Sequence, residues 1–375
     1  MKVLSNAKAK GRRYTAGCTK LAVFFLCCLP FFTACPLNAS GGDSGAFPYV
    51  VNGKLCSFTP DSQEEIADGY TQGSVAPSKK DGYILAWNQK KQRLYHFAGR
   101  KAVSNLELKA SFVYTGADYL LAQSSSFADN KGFSFTLYSI KYSSNKRKIK
   151  LRSIWTGYID CFVADFFFTE DGICIAGGTR DDEKNNVFYI TGKGIHKSFS
   201  TKKESDFLRL IQTSDPQKAI AFVSTRDKSD REAIIYSFDI NKAPEEAEEI
   251  NLSNDPLLPA DFNCFFGYGF AIPPVHPAVS AISAVPELVE GDGGLEIVEN
   301  CIVLPACINK IIQFICYDYS TGKITAIIPD ALGCVAPLAS TESGFYYIAR
   351  DPLIENSWYG IALFNGRQCI KIKAF

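Results

Sequence analysis

GSVAPSKKDGYILAW at residues 73–87 and GCVAPLASTESGFYYIAR at residues 333–350 share one plan. Each has a short apolar run, a polar turn containing Gly, and a second apolar run with Ala near its end. Looser copies lie between them: SFVYTGADYLLAQ (111–123), CFVADFFFTEDGICIAGG (161–178), DFLRLIQTSDPQKAIAFVS (206–224) and DFNCFFGYGFAIPP (261–274). Runs rich in Val, Ile, Phe and Tyr, bounded by Gly, Asp and Asn, are read as strands. The recurring Ala falls at 86, 122, 176, 221, 271 and 349, at intervals of 36, 54, 45, 50 and 78 residues. Helical patterning is nearly absent, and SQEEIA (62–67) predicts a single helical turn.

A second hairpin follows most of the first ones. Examples are FTLYSIKYSSNKRKIKLRSI (135–154), VFYITGKGIHKSFS (187–200), IIYSFDINKAPEEAEEINLS (234–253), IIQFICYDYSTGKITAIIP (311–329) and GIALFNGRQCIKIKAF (360–375). Thr321-Gly322 and Asn365-Gly366 supply the positive φ of tight turns. The unit is four antiparallel strands recurring about every 50 residues.

Units of this kind resemble the blades of a β-propeller. The resemblance covers about residues 73–375 and implies an all-β ring of four-stranded antiparallel blades. Six blades is the first choice and seven the next. Radial packing buries both faces of each blade, which accounts for strands apolar on both sides. A pair of β-sandwiches is the alternative architecture. YVVNGKLCSF (49–58), with Asn52-Gly53 at its turn, is an extra hairpin that helps close the ring or belongs to a seventh, incomplete blade. The GH…WD signature of WD40 repeats is missing, and so is the sialidase Asp-box. The resemblance therefore implies an architecture and no particular activity. The long interval of 78 contains HPAVSAISAVPELVEGDGGLEIVEN (276–300), a predicted surface insertion. Its VPELVEG resembles peptides translated from small mobile DNA repeats in bacterial genes.

The chain opens differently. Residues 1–20 hold six basic residues and no acid, and an apolar run from Leu21 to Phe32 follows, broken by Pro30. Twelve helical residues span roughly 18 Å, short of a ~30 Å hydrocarbon core. The pattern describes a secretory signal. Phe32-Thr33-Ala34 directly before Cys35 resembles a relaxed bacterial lipobox. It implies a signal peptide over 1–34, a diacylglycerol on Cys35, a polar tether over 35–47 and a folded domain over 48–375. The expected location is the exported side of a bacterial cell membrane or outer membrane, held by lipid rather than by a span.

Removal of the leader leaves 34 basic against 39 acidic residues. That balance argues against generic nucleic-acid binding, so no nucleic-acid partner is expected. The nine cysteines beyond Cys35 have irregular spacing and no CxxC pair, and several sit in apolar runs. They are expected to be mostly buried thiols, with room for one or two disulfides. No metal or other cofactor is expected: His96, His196 and His276 lack partners at metal-binding spacing, and no GxSxG, HExxH or Walker motif occurs. DDEKNN (181–186) lacks the EF-hand pattern.

Candidate ligand positions come from the loops. Arg180-Asp181, Arg226-Asp227 and Arg350-Asp351 each follow a second strand and would line one rim, where bidentate Arg geometry suits a carboxylate or sugar. Trp87 and Trp358 are the candidate aromatic platforms of that rim. KYSSNKRKIKLR (141–152) is a basic hairpin suited to an anionic surface or to plain solvent exposure. The function expected from all this is a membrane-anchored envelope propeller that binds or scaffolds a protein, peptide or polysaccharide. An envelope glycan hydrolase or lyase is the alternative, and it would need paired carboxylates at the channel mouth.

Overall fold

The chain's architecture was obtained as a computed structural model, which describes residues 47–375 apart from 60–61, 81, 129–131, 180–183, 202–206, 225–232, 272–299, 330, 342–343, 351–357 and 367. The leader, Cys35, the tether up to residue 46 and the insertion at 276–299 lie outside the described residues.

Seven antiparallel sheets follow one another along the chain. Blade 1 comprises Phe47–Val51, Lys54–Thr59 and Ser62–Asp68. Blade 2 comprises Val75–Pro77, Tyr83–Asn88, Arg93–Ala98 and Lys101–Glu107. Blades 3, 4 and 5 begin at Phe112, Phe162 and Phe207 and have four strands each. Blade 6 runs from Phe262 to Ile328, and blade 7 from Cys334 to Ala374.

The apolar residues form seven clusters, each between two neighbouring blades. One of them joins Phe47, Tyr49 and Phe58 of blade 1 to Leu338, Tyr346 and Ile361 of blade 7. Seven seams between seven blades close a ring. The ring is a β-propeller, and the expected count of six is corrected to seven.

The correction has a local cause. SQEEIA is not helical: Ser62–Asp68 is a strand paired with Lys54–Thr59. Gln, Glu and Ala favour helix, but two strands and an apolar seam outweigh a few tenths of a kcal/mol per residue. The Asn52-Gly53 hairpin therefore gains a third strand and becomes a blade of its own, with φ of 51° and 77° at the turn. Phe47, read as tether, is already the first residue of its inner strand.

Blade 6 also departs from expectation. Phe262–Phe265 and Phe270–Ala271 do not pair with each other, and both pair with Cys301–Ile308. The register shows which Ala is the repeating one. Ala86, Ala122, Ala176, Ala221 and Ala349 face Val75, Val113, Asp165, Leu210 and Cys334 on the inner strands. In blade 6 the residue opposite Phe265 is Ala306, not Ala271. The interruption between the two short strands is fixed by Gly267, which has φ +88° and whose Cβ would stand 2.9 Å from Cys334 O.

All nine cysteines of the described residues are free, eight of them buried. Burial pushes the Cys161, Cys174 and Cys334 thiols up, so they behave as small hydrophobes rather than nucleophiles.

Candidate functional site

The end of the ring that carries the loops between second and third strands is the upper rim. The other end, with the first-to-second and third-to-fourth turns of blades 2–7, is the lower rim. Of the predicted upper-rim positions, Arg180, Asp181, Arg226, Asp227 and Asp351 lie outside the described residues. Arg350 and Trp358 are both described: Arg350 pairs in register with Tyr359, the residue after Trp358. The Arg350 guanidinium lies 6.0 Å from the Tyr359 ring, and Lys371 Nζ lies 5.6 Å from the Trp358 ring. Trp87 is not on the rim. It is 1% exposed on the seam between blades 2 and 3, and its Nε1 donates to Leu108 O at 3.0 Å.

Among the described residues, Asp165 and Asp318 are the buried carboxylates. Asp165 stands on the inner strand of blade 4. Its Oδ1 accepts from Phe166 N (2.8 Å) and its Oδ2 from Leu210 N (2.9 Å) on blade 5. Beside it, Arg209 Nη1 donates to Ala164 O (2.7 Å) and the guanidinium lies 3.9 Å from the Tyr268 ring of blade 6. These groups tie three neighbouring blades together. Asp318 caps a turn by accepting from Ser320 and Thr321. No group of three His, Cys, Asp or Glu residues is placed to hold a metal among the described residues.

A concavity lies on the outside of the ring. Every other blade has a fourth, outermost strand; blade 1 stops at its third. The outer edge of Ser62–Asp68, like that of the outermost strand in every other blade, has no strand partner among the described residues. Beside it lie two adjoining depressions of about 460 and 510 Å³. Ile66, Ala67 and Tyr70 form one wall, and Tyr95, Phe97 and Ala102 of blade 2 form the other. Lys90 and Lys91 stand at the upper end and Arg100 at the lower. Arg100 Nε holds Glu64 Oε1 at 2.5 Å, and Lys91 Nζ lies 5.8 Å from the Tyr95 ring. Sequence reading missed this groove because it depends on how blades 1 and 2 pack against each other.

A second feature is the predicted basic hairpin. Gly132–Tyr142 and Ile149–Ile159 are the outer pair of blade 3. Their turn meets the Ser78–Gly82 turn of blade 2 through His96, which is fully buried. His96 Nδ1 lies 2.9 Å from Arg147 O and Nε2 lies 2.9 Å from Ser78 Oγ. A carbonyl only accepts, so Nδ1 carries the proton and Nε2 accepts from Ser78 in the neutral ring. Burial pushes the His96 pKa down, the hydrogen bond to Arg147 O opposes this, and the Lys80 charge adds to it. The unfolded chain then binds the proton more readily than the folded one. The contribution of His96 is complete above the unfolded pKa of about 6.5 and is lost as pH falls below it. Resistance of the wild type to thermal unfolding should fall from about pH 7.5 to about pH 5.5, and His96→Gln should flatten that slope. An unchanged slope would show that His96 is not buried neutral.

No protein-family model and no curated protein matches this chain. Among solved structures, hydrazine synthase of Kuenenia stuttgartiensis is similar with a TM-score of 0.52 at 10% identity, over 90% of this chain and 96% of that one. A functionally unknown protein from Desulfotomaculum acetoxidans is similar with a TM-score of 0.50 at 14% identity, over 87% of this chain and 94% of that one. At such identities the likeness is one of fold alone.

Proposed function

We propose that this protein is an exported bacterial lipoprotein, anchored through Cys35, whose propeller serves as a binding scaffold in the cell envelope. Its ligand is an extended segment of a partner protein. The observation that carries the binding role is the groove between blades 1 and 2, which lies beside the open edge of Ser62–Asp68. An exposed strand edge offers unpaired N–H and C=O groups, and an added strand satisfies them while its alternate side chains enter the groove. Tyr95 and Phe97 suit apolar residues of the guest, and Lys90 and Lys91 suit acidic ones.

Two readouts test this proposal. Wild type should fractionate with membranes, and Cys35→Ala should be released; equal membrane association would remove the anchor. A photo-crosslinker in place of Ala102 should capture one discrete partner in cells. The adduct should disappear when Lys91 and Arg100 are both changed to Glu. An adduct indifferent to those changes, or no adduct, would rule out the groove as the binding site.

A further inference from the structure

The first blade runs in the opposite sense to the others. Asn88 Nδ2 donates to Asp68 O (2.9 Å), and Gly69 N donates to Gly53 O (2.8 Å). The 52–53 turn of blade 1 thus lies beside the 89–92 turn of blade 2, on the upper rim. Phe47, where the described residues begin, is at the far end of the same short strand and thus lies on the lower rim.

That rim carries the densest positive charge among the described residues, one and two blades further on. The Ser78–Gly82 and Ser143–Lys148 turns are joined by Lys80 Nζ donating to Asn145 O (3.4 Å) and Lys146 Nζ to Lys79 O (3.5 Å). Lys79 is ion-paired with Asp118. Lys146, Arg147 and Lys148 are exposed, and no carboxylate of the described residues pairs with them. Along the same hairpin Lys141 lies directly opposite Lys150, and Arg152 is the next residue on that face. Like charges facing each other across a sheet are destabilising. The hairpin therefore keeps a basic face at a cost to its own stability.

We propose that the lower rim of blades 2 and 3 docks on the anionic phospholipid headgroups of the bilayer that holds the chain. The inference rests on the lipoprotein reading above, because the tether brings that bilayer to this rim. Residues 36–46 reach at most ~40 Å when extended and roughly 20 Å as a coil, so the rim stays beside the surface. Clustered Lys and Arg next to such a surface are drawn to its negative potential. Glu245 and Glu246 sit on the same rim but on blade 5, so the ring tilts, with blades 2 and 3 down.

The test uses the mature chain from residue 35 onward carrying Cys35→Ala, so that neither an attached lipid nor the basic leader contributes. Co-sedimentation is compared on phosphatidylcholine vesicles with and without phosphatidylglycerol, and the readout is the gain from the anionic lipid. Changing Lys146, Arg147 and Lys148 together to Gln should reduce that gain about 100-fold, and changing Glu245 and Glu246 to Gln should not reduce it. Lys146→Gln removes the bond to Lys79 O, but His96 on the main chain of Arg147 and Lys80 on Asn145 O still hold the turn. A gain that survives in the triple variant overturns the proposal. So does the absence of any gain in a protein that binds soluble polyphosphate, which would assign the rim to a polymer. Failure of the anchor itself reads out separately, in the fractionation of Cys35→Ala from cells.

Discussion

Asp165→Ala is expected to destabilise the ring by about 4 kcal/mol. The carboxylate is fully buried and accepts one backbone N–H from its own blade and one from the next. Hydrogen bonds to a charged group contribute about 1.5–3 kcal/mol each. Truncation removes two of them and leaves both donors without an acceptor and without water. Asp165→Asn keeps the shape but turns one acceptor into a donor that faces another N–H, so it should be destabilised by about half as much. The midpoint of guanidinium unfolding measures both. If both variants unfold within about 1 kcal/mol of wild type, the carboxylate is not a structural link between blades 4 and 5, and a chemical role at the channel would return to consideration.

The hairpins were legible in the sequence because their turns are chemically marked. Asn52-Gly53, Thr321-Gly322 and Asn365-Gly366 all sit at turns, with Gly at φ between 72° and 92°. Alternation between them fixed the strands. What failed was the assignment of hairpins to blades. Glu64 and Glu65 disguised a strand as a helix, although each is held by a cation, Glu64 by Arg100 of blade 2 and Glu65 by Lys54 of its own sheet. In blade 6 the true repeat residue, Ala306, is separated from its inner strand by the segment at 272–299, so Ala271 stood in for it.

The candidate sites divide in the same way. A run of basic residues is visible in any sequence, and 141–152 was visible here. Its partner turn and the His96 clasp were not, because the contacts join residues 51 and 65 positions apart. Trp87 misled because an indole at the end of an apolar run looks the same whether it faces solvent or a neighbouring blade. Only the Nε1 bond to Leu108 O distinguishes the two. The groove beside blade 1 was beyond sequence reading, since its walls are residues of two different blades, Ile66 to Tyr70 and Tyr95 to Ala102.

Tyr49→Ala is expected to open the ring at one defined seam. Among the described residues no strand is shared between the first and last blades: blade 7 runs over Cys334–Ala374, and blade 1 over Phe47–Asp68. Side chains of the described residues hold them together. Tyr49 is 0% exposed at the centre of that seam, stacks on the C-terminal Phe375 at 5.5 Å, and shares a hydrogen bond with Gln63. Phe58 packs on Tyr346 at 5.2 Å beside it. Truncating a buried aromatic costs about 3–5 kcal/mol wherever it sits. The location should decide the form of the loss. Phe166, equally buried between blades 3 and 4, belongs to a seam whose blades are also joined by continuous chain. Phe166→Ala should therefore lower stability globally. Tyr49→Ala should instead permit sub-global opening, seen as faster hydrogen exchange in strands of blades 1 and 7 while blades 3–5 stay protected. Uniform loss of protection in both variants would mean that the N- and C-terminal blades are as firmly joined as any other pair, and that closure of this ring needs no shared strand to be cooperative.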